Sequence, residues 1–545
     1  MRRGAQATAA LGSVMRNPDL RKVELAWGAS IAAEWAHFVA LGVFAYTAGG
    51  ASAVGIAGLV RMLPAALSAP VASTLGDRFR RERFLLGTSV AGCCALAGSA
   101  AVFYGGRNQV AIYALGAVVG IASTLFRPAL QAILPSLAHT PEELIASNGA
   151  SSTIESLGTL AGPLLAGVLV SVANPGAVFA AAAAAQLAAF TLLSRLRVEG
   201  VIQERETQGP IRELLLGGFR AVRDLPEPRL IGGLMAAQGF VRGCLNVLIV
   251  VAVFRVLHEG GGTVGYLTAA LGVGGLVGAL GAVMLEGKRL AVPLGLAVAC
   301  WGLPIALIAP APYLPSAVLL LALVGAANSI EDVAGFTLLQ RVVPDLVLSR
   351  VLGIVWGTVM GAVALGSIAA PLVVNALGPR AAFGIVGGTL PVLTVLVWRR
   401  LVAIDRRFEA PATELALINR VPLFAPLSVV AKEHIAGRLT RLEVEAGAPV
   451  VRTGEVGDRF YIVGAGELEI TNGAEGTVRS GDFFGEIALL QDIPRTATVR
   501  AKTPSELYAL DRDDFLAAVT HPAVRAAGEA VVRRRLAAGV TPVPR

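Results

Sequence analysis

Apolar stretches of roughly 20 residues, separated by short polar loops, follow one another along the chain up to Val402. A helix of that length spans about 30 Å, which is the thickness of the hydrocarbon core of a bilayer. Charged residues make up 15% of the sequence, against about 25% in an average soluble domain. After Asp405 the composition becomes that of an ordinary soluble domain. The sequence therefore predicts an α-helical membrane part followed by an aqueous part.

Twelve membrane-spanning helices are predicted, in two sets of six. The first set lies near 23–47, 53–76, 84–104, 109–134, 143–171 and 175–194, and the second near 229–256, 263–285, 290–309, 313–341, 349–376 and 380–401. We expect two bundles, at 23–194 and 229–402, joined by a polar loop at 195–228. Three residue pairs recur between the bundles at a nearly fixed offset: Gln131 and Gln340, Pro135 and Pro344, and Pro163 and Pro371. Repeated halves are typical of secondary transporters, which place their substrate site between the two.

Basic residues are concentrated in alternate loops, including the loop at 78–83 and the central loop at 195–228. Because cytoplasmic loops of membrane proteins carry the excess of Lys and Arg, both termini are predicted to be cytoplasmic, with 1–22 as a cytoplasmic N-terminal segment. We expect a multi-pass protein of the cytoplasmic (inner) membrane without a signal peptide. The loop charges also account for the net charge of +8, so nucleic acid is not an expected partner.

Several ionisable residues fall inside the predicted spans, where a charge is costly unless it is paired or hydrated. Three carboxylates, those of Glu34, Glu155 and Glu331, are candidates for a group that alternates between protonated and ionised forms during transport. The other candidates are Arg61, Arg127, Arg242 and Asp332. A structural role is the alternative: Arg127 and Glu155 would form a pair between helices, and Glu331 and Asp332 would only cap or bridge.

Histidine and cysteine carry no predicted chemistry in the membrane part. His37 lies one turn after Glu34 on the same helix face and is expected to be a packed histidine. The four cysteines fall inside apolar spans without a metal-binding spacing, and we expect them to be small buried hydrophobes. They are Cys93, Cys94, Cys244 and Cys300.

Three motifs in the membrane part resemble those of the major facilitator superfamily. LGDRFRRER at 75–83 is similar to the family's loop between its second and third helices, with Asp77 and Arg78 in the acidic and basic positions. The fifth span carries Gly158, Gly162, Pro163 and Gly167 in a pattern that resembles a motif of exporters exchanging substrate for protons. FRPA at 126–129 is similar to bacterial drug and siderophore exporters.

This resemblance covers roughly the first 400 residues and implies a twelve-helix secondary transporter. It implies export of small organic molecules, with exchange for protons as the candidate coupling, and it indicates no particular substrate. Small residues such as Gly162 let helices approach closely, and Pro163 releases a backbone carbonyl and permits bending. In the family, the aspartate that corresponds to Asp77 helps to hold one conformation closed.

Short alternating segments separated by glycines begin near Leu415 and predict a small β-roll with flanking helices. We place this domain at 414–537, after a linker at 403–413. Its central motif is Phe484–Leu490 followed by Pro494–Val499. Gly485 permits close backbone approach, Arg495 offers a planar fork to phosphate oxygens, and Glu486 can accept a hydrogen bond from a ribose hydroxyl.

Together with GEVGDRFYIVGAGELEI, this motif closely resembles the cyclic-nucleotide-binding domain family over about 110 residues. The resemblance implies that Glu486 binds the ribose 2′-hydroxyl and Arg495 the cyclic phosphate. It also implies that Gly485, Ile487 and Ala488 bind the phosphate through their backbone. Thr496 occupies a position where a hydroxyl favours cGMP in some members, although bacterial cAMP binders carry a hydroxyl there too. Both cAMP and cGMP therefore remain candidate ligands.

Three functions fit these features. The first is a transporter regulated by cyclic nucleotide, whose partners are the lipid bilayer, a small-molecule substrate and the nucleotide. The second is a membrane sensor that no longer transports, and the third is a constitutive exporter with an inert β-roll. No enzyme motif and no other cofactor are predicted, and no helix-turn-helix follows the β-roll. The sequence leaves protein partners open.

Overall fold

The computed structural model describes residues 16–78, 81–137, 141–196, 225–282, 290–343, 345–407, 412–425, 427, 429–471 and 476–519. The chain divides into two compact units, Met1–Asp405 and Arg406–Arg545. The described part of the first unit is helical, and the second unit is built on two β-sheets. This is the architecture that the sequence predicts.

Ten helices of the first unit are long and apolar enough to cross a membrane within the described ranges. A short π-helical segment, Ala252–Val256, continues the sixth of them. In chain order the helices are α1 (Pro18–Arg78), α2 (Arg81–Gly105), α3 (Gln109–Leu137), α4 (Pro141–Val172), α5 (Pro175–Leu193), α6 (Pro226–Val251), α7 (Thr263–Ala282), α8 (Ala291–Ile308), α9 (Leu314–Val342) and α10 (Asp345–Arg407).

Two of these helices are too long for a single crossing. Helix α1 has 61 residues and α10 has 63, whereas about 20 residues span a bilayer. Both are broken at glycine: Gly50 in α1 has φ +63° and Gly378 in α10 has φ +83°, backbone angles that L-residues rarely adopt. Pro379 then starts the second segment of α10, a position that suits proline because its missing N–H has no partner there. Counting each segment separately gives twelve in the part of the chain that the structure describes, while the number of membrane crossings stays a prediction.

The observed helix bounds lie close to the predicted spans. The predicted span at 175–194 is α5, Pro175–Leu193, and that at 313–341 is α9, Leu314–Val342. The core between these helices is apolar, with Phe179 and Phe383 among its largest fully buried side chains. The expectation for the cysteines is wrong in part: Cys244 is buried, but Cys94 and Cys300 lie exposed on the helical surface. An apolar span offers two environments to a small side chain, the protein interior and the lipid, and composition does not distinguish between them.

The second unit contains two antiparallel four-stranded sheets, with strand orders β1-β8-β3-β6 and β2-β7-β4-β5. Helices α11 (Ala412–Arg420) and α12 (Val429–Arg438) precede the sheets, α13 (Glu486–Gln491) lies between β6 and β7, and α14 (Arg512–Val519) follows β8. The strands are β1 (Thr440–Val444), β2 (Pro449–Val451), β3 (Arg459–Ala465), β4 (Glu467–Thr471), β5 (Gly476–Arg479), β6 (Phe483–Phe484), β7 (Thr498–Ala501) and β8 (Ser505–Asp511).

Aromatic packing fastens the helices of this unit to its first sheet. Phe460 of β3 stacks on Phe515 of α14 with ring centroids 4.8 Å apart, and Phe424 packs edge-on against Phe460 at 5.6 Å. All three side chains are fully buried. The predicted β-roll with flanking helices is therefore present, although residues 520–537 of the predicted domain lie outside the described ranges.

Candidate functional site

Arg495 is the central residue of a polar site in the second unit. It lies between α13 and β7, and only 3% of its surface is exposed. Its Nη1 donates a hydrogen bond to the carbonyl of Gly485 at 3.1 Å, and its Nη2 donates to the carbonyl of Arg459 at 2.7 Å. The same Nη2 lies 3.4 Å from a carboxylate oxygen of Asp458. The guanidinium is thus held in one orientation by groups from both sides of the motif.

The glycine before α13 makes this arrangement possible. Gly485 has φ +92°, and a Cβ at this position would lie 2.6 Å from Nη1 of Arg495. Any other residue would therefore displace the guanidinium or strain the backbone. Glu486 follows, only 1% exposed, and interacts electrostatically with Arg495. The two residues predicted to bind phosphate and ribose are thus neighbours in the structure.

Burial sets the electrostatics of this site. It lowers the pKa of the Arg495 guanidinium from its ordinary value, while Tyr461, Asp458 and Glu486 act in the opposite direction. The aromatic ring of Tyr461 lies beneath the guanidinium, with the centroid 5.7 Å from Cζ, and stacks in turn on Phe484. An anion that approached Arg495 would gain charge-assisted hydrogen bonds from this partly desolvated cation.

The remaining predicted residues of the site lie on and beside α13. Ile487 and Ala488 are buried, and Thr496 is half-buried. The loop before β3 packs directly on Ala488, because a Cβ at Gly457 would lie 2.9 Å from Cβ of Ala488.

Three residues around this site were not predicted from the sequence. Asp458 and Tyr461 contact the guanidinium of Arg495, as described above. Arg512, the first residue of α14, donates to the carbonyl of Gly457 at 3.1 Å and to Asp492 Oδ1 at 2.7 Å. It thereby joins the loop before β3 to the end of α13. Asp458 and Tyr461 lie in the segment GEVGDRFYIVG, but strand patterns do not specify which polar side chains meet across a fold.

Glu34 and Arg61 form an ion pair inside the first unit, Met1–Asp405, which we call the membrane unit. Arg61 Nη2 lies 2.9 Å from Glu34 Oε1, and the guanidinium also lies over the ring of Phe38, 5.3 Å from its centroid. Arg61 lines a narrow cleft between the two halves, opposite Asn246 and Ser367. The cleft holds about 30 Å³, which is room for one or two water molecules. The structure thus brings together two of the predicted candidates, although the sequence paired neither with the other.

His37 is fully buried and contacts the ring of Phe179 at 5.5 Å, as expected for a packed histidine. Glu155 is half-buried on α4. The side chain of Arg127 lies outside the described residues, so the alternative Arg127–Glu155 pair stays a prediction. The same holds for the side chains of Asp77 and Arg78 at the end of α1.

A second polar cluster lies in the C-terminal half. The side-chain oxygen of Asn328 accepts hydrogen bonds from Gln238 and from the indole of Trp301, both at 3.2 Å. Its amide donates to Asp332 at 2.9 Å. Glu331, on the same helix, is 0% exposed, and neither carboxylate oxygen has a hydrogen-bond partner within the described part of the chain. Arg242 of α6 is near enough to interact with it electrostatically.

The glycine motif of α4 lies where three helices meet closely. A Cβ at Gly162 would lie 2.5 Å from the carbonyl oxygen of Ala32 in α1. Gly265 of α7 similarly packs against the carbonyl of Pro163 and the backbone of Gly167. Helix α4 therefore approaches both halves of the membrane unit at backbone distance, which is the role that the sequence assigns to its small residues.

Further contacts join the halves at the end where α1 and α10 are broken. Tyr46 of α1 stacks on Phe254 of the π-helical segment, with ring centroids 4.5 Å apart. Near the same end, the amide of Asn375 donates to the hydroxyl of Ser52 at 3.0 Å. These contacts lie at the end that loop charges predict to face away from the cytoplasm.

Two family models match the chain: the Major Facilitator Superfamily at residues 25–356, and the cyclic nucleotide-binding domain at residues 441–521. For the membrane unit, the solved structure of the nucleoside transporter NupG aligns with a TM-score of 0.60 at 13% identity, covering 71% of this chain and 99% of that one. At that identity the likeness shows a shared fold.

The curated relatives match the C-terminal part of the chain. The cAMP-dependent protein kinase regulatory subunit of Yarrowia lipolytica is 38% identical over 120 residues, which are 21% of this chain and 32% of the relative. The corresponding subunit of Aspergillus niger is 35% identical over 166 residues, or 29% and 40% of the two chains. The chain thus spans about a third of the length of the curated relatives it matches. The predicted resemblances to both families are confirmed.

Proposed function

This chain belongs to the Major Facilitator Superfamily and carries a cyclic nucleotide-binding domain, and from this we propose that it exports small organic molecules under the control of a cyclic nucleotide. The observation that supports control most directly is the buried guanidinium of Arg495, held beside Gly485 and Glu486. A second set of observations, the Glu34–Arg61 ion pair and the buried carboxyl group of Glu331, supports transport coupled to protons.

Export is the direction favoured by the glycine motif of α4. Gly162 and Pro163 lie where α4 meets the first segment of α1 and helix α7. A helix packed this closely on both halves moves with whichever contact is retained, so the motif suits a pivot between two conformations. Tyr46 and Phe254 join the halves at the end predicted to face the outside. Substrate would therefore enter from the cytoplasmic end, once the halves separate there.

Of the three candidate carboxylates, Glu331 has the surroundings best suited to carry a proton. Glu34 is neutralised by Arg61 at 2.9 Å, whereas Glu331 is fully buried and lacks a hydrogen-bond partner in the described part of the chain. An ionised carboxylate in such surroundings costs several kcal/mol. We therefore propose that Glu331 holds a proton in this conformation and releases it when its surroundings become hydrated. Arg242 and Asp332 would bias that release.

A cyclic phosphate would bind by exchange of partners at Arg495. Its oxygens would take the hydrogen bonds now given to Asp458 and to backbone carbonyls, and Glu486 would accept from the ribose 2′-hydroxyl. The kinase regulatory subunits that resemble this unit are called cAMP-dependent, so cAMP is the first ligand to test. Because Thr496 carries a hydroxyl group, cGMP is the second ligand to test. Binding would shift the transport equilibrium only by the difference in nucleotide affinity between the two conformations.

The protein would lie in the cytoplasmic membrane with both termini inside. The second unit, Arg406–Arg545, which we call the nucleotide unit, would then be exposed to cyclic nucleotide in the cytoplasm. A membrane sensor that does not transport is the second candidate function. The observation in its favour is the cleft between the halves, whose volume of about 30 Å³ admits water but no larger molecule in this conformation.

The test uses the full chain in lipid nanodiscs and in proteoliposomes. Calorimetric titration with cAMP and cGMP is expected to show binding by the wild type and by the control Arg500→Ala, whose side chain is exposed on β7, and none by Arg495→Ala. Efflux of fluorescent amphipathic dyes, measured with and without the bound nucleotide, is expected to differ. Binding without any transport would favour the sensor, and transport indifferent to nucleotide would favour a constitutive exporter.

A further inference from the structure

Asp405, the last residue of the membrane unit, joins the end of α10 to the start of α8 by hydrogen bonds. Asp405 lies near the end of α10 and is only 5% exposed. Its carboxylate accepts hydrogen bonds from three successive backbone N–H groups at the start of α8. They come from Leu290 at 3.0 Å, Ala291 at 2.8 Å and Val292 at 2.9 Å.

These three N–H groups have no partner within their own helix, because the first turn of an α-helix always leaves its donors unsatisfied. The residue at the cap position, Leu290, has no side chain that could accept from them. Asp405 supplies the missing acceptor from 113 to 115 residues away. A carboxylate at this end of a helix is also favoured by the helix dipole. We call this arrangement the Asp405 clamp.

The clamp lies where the two units of the chain join. The membrane unit ends at Asp405 and the nucleotide unit begins at Arg406. Helix α10 ends at Arg407, and α11, the first helix of the nucleotide unit, begins at Ala412. Only four residues lie between these helices, so a displacement of α11 acts on the end of α10 with little slack.

Helix α8 connects the clamp to the polar cluster in the middle of the C-terminal half. Trp301 lies ten positions after Ala291, which is about 15 Å along a helix. Its indole donates to Asn328, the residue that also binds Gln238 and Asp332. A shift of α8 along its axis would therefore move a hydrogen-bond donor at the cluster that contains Glu331.

We propose that the Asp405 clamp transmits nucleotide binding to the transport machinery, by holding or releasing the start of α8. This rests on the proposed function, since it names the route of the regulation suggested there. Asp405 touches neither nucleotide nor substrate, and it acts as a positioning residue. The rival is a clamp that only stabilises the fold, so the test needs a readout that stability alone would not change.

Hydrogen exchange on the full chain in nanodiscs supplies that readout, with cAMP and cGMP as the probes. In the wild type, saturating nucleotide is expected to change exchange at 290–292 and at 325–332 by about fivefold or more, together with protection at 485–488. Asp405→Ala is expected to keep protection at 485–488 but to lose the response at 325–332. Asp405→Asn, which retains an acceptor suited to a helix start, is expected to preserve it.

Asn17→Ala is the matched control. Asn17 caps the start of α1 by accepting from the N–H groups of Asp19 and Leu20 at 3.1 and 3.2 Å, and it lies far along the chain from the linker. Its loss should lower stability without removing the nucleotide response. The proposal is overturned if nucleotide protects 485–488 in the wild type without altering 290–292, or if Asp405→Ala responds at 325–332 as the wild type does. If neither nucleotide protects 485–488 in the wild type, the proposed regulation itself is wrong, and the clamp has no signal to transmit.

Discussion

The rings of Tyr46 and Phe254 stack across the two halves of the membrane unit, with centroids 4.5 Å apart and planes 6° from parallel. Phe254 lies in the π-helical segment Ala252–Val256. Such segments insert an extra residue into a helix and are frequent at functional sites. Here the π-helical segment carries the ring that faces Tyr46, so the irregular turn and the contact between halves coincide.

Loss of this stack is expected to favour opening of the outer end. An aromatic pair is worth about 0.5–1.5 kcal/mol, so Tyr46→Ala should shift the conformational equilibrium by about 2- to 10-fold. Labelling of a cysteine introduced at Met62, which lines the cleft, by a membrane-impermeant maleimide would measure the shift after the four native cysteines are replaced. Tyr46→Phe keeps the ring and should label at the wild-type rate. Equal labelling of Tyr46→Ala and wild type would show that the stack does not close the cleft.

The Glu34–Arg61 pair is expected to be energetically coupled. Removal of one partner leaves the other charge in poorly hydrated surroundings, whereas removal of both does not. A double-mutant cycle with Glu34→Gln and Arg61→Gln, read out as thermal stability in nanodiscs, should give a coupling energy of about 0.5–3 kcal/mol. Additive effects of the two substitutions would argue that the pair is incidental.

The buried carboxyl group of Glu331 is expected to lower the stability of the wild-type protein and to be needed for proton-driven transport. Replacement of a buried polar group that lacks hydrogen bonds by an apolar one is often neutral or stabilising, so Glu331→Leu should unfold at the same or a higher temperature. The same variant should lose dye transport driven by a proton gradient while it retains exchange of dye across the membrane. Asn328→Leu breaks three hydrogen bonds and should destabilise instead. Proton-driven transport by Glu331→Leu would exclude this residue as the proton carrier.

Arg495 is expected to dominate the nucleotide affinity. Hydrogen bonds to charged groups contribute about 1.5–3 kcal/mol each, so Arg495→Lys should weaken binding by about 10- to 100-fold, because lysine cannot present two parallel donors. Calorimetry on the full chain provides the measurement, and Arg500→Lys is the matched control. An affinity of Arg495→Lys within about twofold of the wild type would mean that a point charge is sufficient and that the fork of donors is not used.

Tyr508 should make the nucleotide unit sensitive to alkali. Its hydroxyl donates to Glu506 Oε1 at 2.5 Å, and this hydrogen bond raises the pKa of Tyr508 to about 12. Because the folded-state pKa exceeds the ordinary value of about 10, the stabilisation is complete below pH ~10 and is lost as the pH rises toward about 12. Tyr508→Phe should therefore lower stability at neutral pH and show a smaller further loss between these values in thermal unfolding. A slope unchanged by the substitution would assign alkaline sensitivity to another group, such as Tyr461, whose pKa burial also raises.

The helices were predictable to within a few residues because hydropathy is a local property, and a bilayer imposes one length on every span. The close approach at Gly485 was predictable for a similar reason, since it follows from the absence of a side chain, while phosphate binding by Arg495 stays a prediction. Pairings between distant residues were not. The sequence placed Glu34 beside His37, on the same face of one helix, whereas in the structure Glu34 pairs with Arg61 of the next segment.

Residues outside the predicted set show the same limit. Glu24 is buried and accepts hydrogen bonds from Ser147 and Ser151 of α4 at 2.8 and 2.6 Å, but nothing in its local sequence separates it from a solvated acid near a membrane surface. The sequence placed Asp405 in the linker at 403–413, although in the structure it caps the helix that begins at Ala291. The hydrogen-bond partners of Glu24 and Asp405 depend on how whole helices pack, and the periodicity of the sequence does not predict that packing.

The Asp405 clamp also has a consequence for the order in which the chain can be assembled. The start of α8 lacks its acceptor until the chain has been synthesised more than a hundred residues further, through the end of α10. Until then the C-terminal half lacks the hydrogen bonds to Asp405. The ribosome must therefore release the last helix before the N–H groups in the first turn of α8 find their acceptor. A chain truncated after Arg407 would keep the cap, whereas one truncated before Asp405 would leave α8 open and exposed to quality-control proteases.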